Sequence, residues 1–219
     1  MSRNCFKLNS TLLHSMFAKP SVPKRSFASA MNSDGYTLHE QYNWAVNAQI
    51  LAKYTKTMAP TSTGGLAYLG AFSDYYIKNT DFEAQDDIDE IYVLDSDPKL
   101  LQQYHSDMSD VLKNKEKWFL HYDSSNFILE PNSTDMVVIN DRVCCKYTPN
   151  IPRTILQVVN TLKEGGILLG VTSCKDSFND IQSALHEYDV ETEVYEDSKD
   201  QKLRNNVYLY SMKKNNTNN

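Results

Sequence analysis

Residues 135–171 read DMVVINDRVCCKYTPNIPRTILQVVNTLKEGGILLGV, and the order of patterns inside that stretch decides the fold. Residues 136–139 (MVVI) form a run too apolar for a strand with one face in water, which predicts a strand buried on both faces. A helix follows. Asn150 stands where an N-cap belongs, Pro152 lies just inside, and Ile151, Ile155, Val158, Val159 and Leu162 recur on one face. Gly165-Gly166 predicts its stop, and residues 167–171 (ILLGV) predict a second buried strand. Two strands of this kind joined by a helix make the βαβ unit of a parallel sheet.

The alternation continues in both directions. Upstream, residues 66–72 predict a strand that runs through Ser73-Asp74 into a helical stretch. Residues 88–95 (IDEIYVLD) predict another, and Asp97-Pro98 opens the next helix. Residues 118–122 are a shorter third candidate. Downstream, 176–185 is helical, and residues 190–195 and 207–212 alternate with period two around a charged loop, which predicts an antiparallel hairpin. Residues 38–58, with Trp44, read as one amphipathic helix. The expected architecture is therefore α/β: a Rossmann-like sheet of the class I methyltransferase kind, helices on both faces, and a C-terminal antiparallel hairpin. The chain divides into a leader and linker (1–33), an N-terminal helical segment (34–60), a methyltransferase-like domain (61–213) and an Asn-rich tail (214–219) with the composition of a disordered segment.

Composition narrows the class. With 219 residues, 41% of them hydrophobic, and 4 cysteines, the chain is neither a disordered tail nor a disulfide scaffold. No stretch reaches the roughly 20 consecutive apolar residues that a membrane-spanning helix needs, so any membrane association is peripheral. The net charge of −6 is uneven. Residues 1–33 hold Arg3, Lys7, Lys19, Lys24 and Arg25 and no acid, while the remainder holds 17 basic residues against 28 acidic ones. A basic, Ser-rich, acid-free start is the pattern of a mitochondrial transit peptide, with Arg25-Ser26-Phe27-Ala28-Ser29 resembling a matrix-protease site. The alternative is a basic arm that binds nucleic acid or lipid. A body this acidic argues against nucleic acid as its partner.

Little else carries chemistry. Cys144, Cys145 and Cys174 show no C-x-x-C spacing, and the adjacent pair reads as small residues at a strand end. His39, His105, His121 and His186 are scattered without ligand spacing, so no metal site is expected. Tyr75-Tyr76, Tyr208 and Tyr210 fall where a helix or strand would pack them.

Residues 36–185 carry a resemblance as well. Gln41-Tyr-Asn-Trp44-Ala45, Asp135-Met-Val-Val, Ile151-Pro152-Arg153, Leu162-Lys163, Gly166, Gly170 and Asp176-Ser177 resemble the mitochondrial methyltransferase-fold assembly factors of respiratory complex I. That arginine-hydroxylase family is related to the biotin-synthesis methyltransferases. The resemblance implies a matrix protein that acts on a complex I subunit or assembly intermediate, either by modifying an arginine or, without catalysis, as a binding module. It also implies a site for S-adenosylmethionine. Gly70 would belong to the loop after the first strand, and Asp95 would accept hydrogen bonds from both ribose hydroxyls, unless it serves as a turn or cap aspartate before Pro98. Asp123 would lie near the adenine amine, and Asn140 where the fourth strand opens onto the site. The family's D-x-G-x-G-x-G is here Tyr68, Gly70, Phe72 and Asp74. Phe72 would fill space that glycine leaves to the cofactor. Asp74 would bring a carboxylate near the cofactor's own, and like charges ~4 Å apart cost on the order of 4 kcal/mol at an effective dielectric of 20. The family's His-Trp pair after the fourth strand is replaced by Cys144-Cys145-Lys146-Tyr147, and its Gly-Gly before the last helix by Cys174-Lys175.

Overall fold

The computed structural model describes residues 38–58, 64–70, 75–80, 88–109, 112–122, 128–141, 143, 150–196 and 206–215. The chain divides into two units, Met1–Leu38 and His39–Asn219, and the sheet lies in the second. The leader, Phe72, Asp74, Asp123 and the pair Cys144-Cys145 lie outside the described residues.

The elements run α1 (Leu38–Met58), β1 (Gly65–Leu69), α2 (Tyr75–Thr80), β2 (Glu90–Asp95), α3 (Pro98–Ser109), β3 (Glu116–His121), β4 (Thr134–Ile139), α4 (Ile151–Thr161), β5 (Leu162–Thr172), α5 (Lys175–Ala184), β6 (Val190–Glu196) and β7 (Asn206–Lys213). The seven strands form one sheet in the order β3-β2-β1-β4-β5-β7-β6. β1 to β5 are parallel, and β7 runs antiparallel between β5 and β6. The expected α/β architecture and terminal hairpin are both present.

Register tells which side chains share a face. Tyr68, Val93, Phe119 and Val138 are in register across β1, β2, β3 and β4 and so point the same way. On that face the Tyr68 ring meets Tyr76 of α2, Phe119 meets His105 of α3, and Tyr54 of α1 donates to Glu193 of β6 at 3.0 Å. The opposite face carries the main apolar core: Ala67, Leu69, Val137, Ile139 and Leu168 pack with Ile155, Val158 and Val159 of α4 and with Phe178 and Ile181 of α5. These residues alternate along each strand with those of the first face, so every central strand is buried on both sides.

Two sequence expectations need correcting at their edges. The first strand ends at Leu69 rather than at Phe72, because Gly70 turns the chain with φ of 69°. The helix α4 ends at Thr161, before the Gly165-Gly166 pair that the sequence predicts as its stop. Leu162 is already extended and pairs with Thr134, and the next pair is Met136 with Ile167, so the glycines form a bulge inside β5. Gly165 has φ of 78°, and a Cβ on Gly166 would lie 2.9 Å from the Lys163 carbonyl. The end of β7 covers this bulge: Gly165 N–H donates to Lys214 O at 2.7 Å and Lys214 N–H to Gly166 O at 2.9 Å.

The expected cap of α4 is present, with Asn150 Oδ1 accepting from Arg153 N–H at 3.0 Å. The Asp-x-Val-Val and Leu-Lys pieces of the family resemblance also gain a physical meaning. Asp135 Oδ2 accepts from Gly65 N–H at 2.9 Å and from Lys163 Nζ at 2.8 Å, tying together the amino-terminal parts of β1, β4 and β5.

Candidate functional site

In an open parallel sheet, ligands bind beyond the carboxyl ends of the strands, at the point where the strand order reverses. Here that point lies between β1 and β4. Gly70, Asp95 and Asn140 each stand at the carboxyl end of one of three adjacent strands, so the structure brings these three expected residues together. Backbone hydrogen bonds continue the ladder there: Gly70 N–H to Leu94 O and Asn140 N–H to Leu69 O, both 3.0 Å.

The side chains at this end are committed inward. Asp95 is 1% exposed, and its Oδ1 accepts from Asp97 N–H at 2.8 Å. Asp97 in turn accepts from Lys99 N–H at 2.9 Å, so Asp97 starts α3 and Asp95 shapes the turn before it. Of the two roles open to Asp95 from sequence, the turn role is present.

Asn140 is 0% exposed, and its Nδ2 donates to Tyr68 Oη at 3.0 Å and to the Trp44 carbonyl of α1 at 3.4 Å. Tyr68 is equally buried and its ring lies 4.2 Å from that of Tyr76. The Tyr76 hydroxyl shares a 3.0 Å hydrogen bond with Thr55 Oγ1, and Thr55 Oγ1 itself donates to Leu51 O at 2.9 Å. Thr55 has a single proton, so Tyr76 is the donor between them. Burial pushes the Tyr76 pKa far up, which keeps that donor protonated. Two buried amides retain capacity beyond these bonds: Asn140 Oδ1, and both polar atoms of Asn47 on α1, have no hydrogen-bond partner among the described residues.

Asp141, which sequence reasoning does not single out, is a second anchor. Its Oδ1 accepts from Thr172 Oγ1 at 2.8 Å and Ser173 N–H at 3.0 Å, and its Oδ2 accepts from the Ser173 hydroxyl. The carboxylate thereby clamps the end of β4 to the turn between β5 and α5. Burial raises its pKa, against the lowering effect of these three donors. The sequence signal is the pairing of an Asp after one strand with consecutive hydroxyl residues after the next. Cys174, at the start of α5, is exposed and its side chain caps nothing. Among the described residues no group of three or more His, Cys, Asp or Glu side chains could hold a metal ion.

No protein-family model matches the chain, and no curated protein matches it in sequence. Solved structures do. The complex between the Haloferax volcanii Trm112 methyltransferase activator and a methyltransferase matches with a TM-score of 0.59 and 14% identity, over 81% of this chain and 91% of that one. An S-adenosylmethionine-dependent methyltransferase from Aquifex aeolicus matches with a TM-score of 0.58 and 9% identity, over 80% and 96%. A predicted O-methyltransferase from Agrobacterium tumefaciens matches with a TM-score of 0.58 and 13% identity, over 76% and 80%. At such identities the likeness is one of fold, and together with the strand order it establishes that this chain has the class I methyltransferase fold.

Proposed function

We propose that the protein serves respiratory complex I assembly in the mitochondrial matrix and works by holding a partner protein, its cofactor end given over to internal packing. The assembly role rests on the family resemblance of residues 36–185, and the matrix location on the basic, acid-free start. The mode of action rests on one observation: Asp95 and Asn140 are closed off from solvent and already bonded, to Asp97 N–H and to Tyr68 and the Trp44 carbonyl. S-adenosylmethionine would need the Asp95 carboxylate for its ribose hydroxyls and open space beside Gly70. The burial of Asp95 and the bond its Oδ1 already accepts from Asp97 N–H count against that use, and no methyl-transfer step is assigned.

Isothermal titration of the full-length protein with S-adenosylmethionine is expected to give no saturable heat up to about 100 μM, a ceiling of roughly −5.5 kcal/mol. Micromolar binding would overturn the reading. For the biological role, loss of the protein should leave immature complex I intermediates with the other respiratory complexes normal. Asp95→Ala, once shown to be folded and normally abundant, should rescue. Untouched complex I after deletion would remove the assembly role.

A second reading keeps catalysis. Asn140 Oδ1 is a buried acceptor with no hydrogen-bond partner among the described residues, which a guanidinium N–H could satisfy, and arginine modification is what the resemblance implies. Failure of a folded Asp95→Ala protein to rescue would favour it.

A further inference from the structure

We propose that the face of β2 and β3 on the α4 side of the sheet is a docking surface for a basic amphipathic helix of a partner protein. Parallel strands are usually joined by a helix that covers the sheet. On this side α4 and α5 pack in one core with β1, β4 and β5, and Tyr92 and Leu120 lie at the margin of that core. The link from β3 to β4 spans only residues 122–133, and its described residues, 122 and 128–133, hold no helix.

Burial records the difference. Ile91 and Val93, which face α3, and Leu94 on this side are fully buried, whereas Tyr92, farther along β2 from the covered end, is only half-buried. Trp118 and Leu120, in register with Tyr92 and Leu94, are also half-buried. Tyr92 and Trp118 stack with ring centroids 4.8 Å apart and planes 13° from parallel, a flat aromatic platform beside the sheet edge.

Charge identifies the occupant. Glu90 and Glu116 are register partners on this same face, two residues from the platform on their respective strands. Neighbouring strands lie about 4.8 Å apart, and like charges directly opposite one another repel. The Tyr92 hydroxyl donates to Glu90 at 2.8 Å, but no lysine or arginine among the described residues pairs with either carboxylate. Lys117 lies on the other face and donates to the Leu112 carbonyl. An apolar aromatic platform beside two unneutralised carboxylates suits a segment with Lys or Arg next to apolar residues, an arginine stacking on the rings. Six-residue strands span about 20 Å, so a helix of roughly 13 residues would cross them. This surface does not depend on the partner belonging to complex I.

The test places a photoreactive phenylalanine analogue at position 118 of the full-length protein in cells, with a control at Leu156, an exposed position on α4. A second variant carries the analogue at exposed position 116, so that misfolding at 118 does not silence the experiment. Mass spectrometry is expected to find one partner segment with Lys or Arg and apolar residues at helical spacing. Glu90→Gln with Glu116→Gln should cut the product at 118 at least tenfold without lowering the melting temperature. The proposal is overturned if 118 and 116 link no more than 156, if the product is a second copy or this chain's own residues, or if the glutamine changes leave it intact. A basic helix from a protein outside complex I would keep the surface and remove only the assembly reading.

Discussion

Gly170 offers a sharp test of the packing between β5 and β7. It is paired with Tyr210, and a Cβ at position 170 would lie 2.6 Å from the ring's Cε2, with Cζ and Oη nearer still. An ordinary carbon contact needs about 3.5 to 4 Å, so Gly170→Ala requires the ring to retreat by more than about 1 Å. Tyr210 has no room for this, being 0% exposed within the core that also holds Leu168 and Met212. Overpacking of this kind costs about 3 kcal/mol, at the upper end of the usual range. In a unit of this size that lowers the melting temperature by about 6–12 °C. Circular dichroism melts and urea titrations of the wild type, Gly170→Ala, Tyr210→Ala and the double variant would read it. Tyr210→Ala alone should cost about 3–5 kcal/mol through the cavity it leaves. The double variant should cost at least about 1 kcal/mol less than the two together, because the new methyl then enters vacated space. A Gly170→Ala protein within about 0.5 kcal/mol of wild type, or a strictly additive double variant, would refute the placement of the ring.

Asp135→Ala leaves the buried Gly65 N–H without its acceptor and should cost about 2 kcal/mol, while Lys163→Met, which removes only a half-exposed cation, should cost under about 1 kcal/mol. Equal costs in urea unfolding would contradict the primacy of the backbone bond. The Asp141 pKa is raised on folding by burial, so the folded protein retains that proton to higher pH than the unfolded chain does. Its contribution to stability therefore falls as pH rises from the ordinary carboxylate value of 3.8 through the raised value and is flat beyond it; Asp141→Asn should lose this decline, as unfolding measured from about pH 4 to 8 would show.

The strands and helices are legible in the sequence because each carries its own period and punctuation. α4 is readable from Asn150, Pro152 and one apolar face, whereas α1 has the expected extent to Met58 but buries the polar Asn47 and Thr55 beside Trp44 and Leu51. The start of β5 is not readable, since its first residue is fixed by pairing with Thr134, far back in the chain, and nothing local marks Leu162 as extended. At the site, strand-end positions identify Gly70, Asp95 and Asn140. That Asn140 spends its amide on Tyr68 and on a carbonyl of α1 cannot be read, because those partners lie 72 and 96 residues away. Tyr76 is legible as a packing residue, but its target, the buried Tyr68 ring, emerges only when α2 folds back onto β1.

The position of β7 in the sheet has a consequence for synthesis. β6 leaves the ribosome before the strand that joins it to the rest, because β7 is inserted between β5 and β6. Until Asn206–Lys213 has emerged, β5 is a bare edge and β6 has no sheet neighbour, two open hydrogen-bonding strands of the kind that recruit other chains. A chain interrupted before residue 206 would contain nearly all of the apolar core and still expose both strands. Shortened products should therefore appear as aggregates or as chaperone clients, and not as a smaller folded protein.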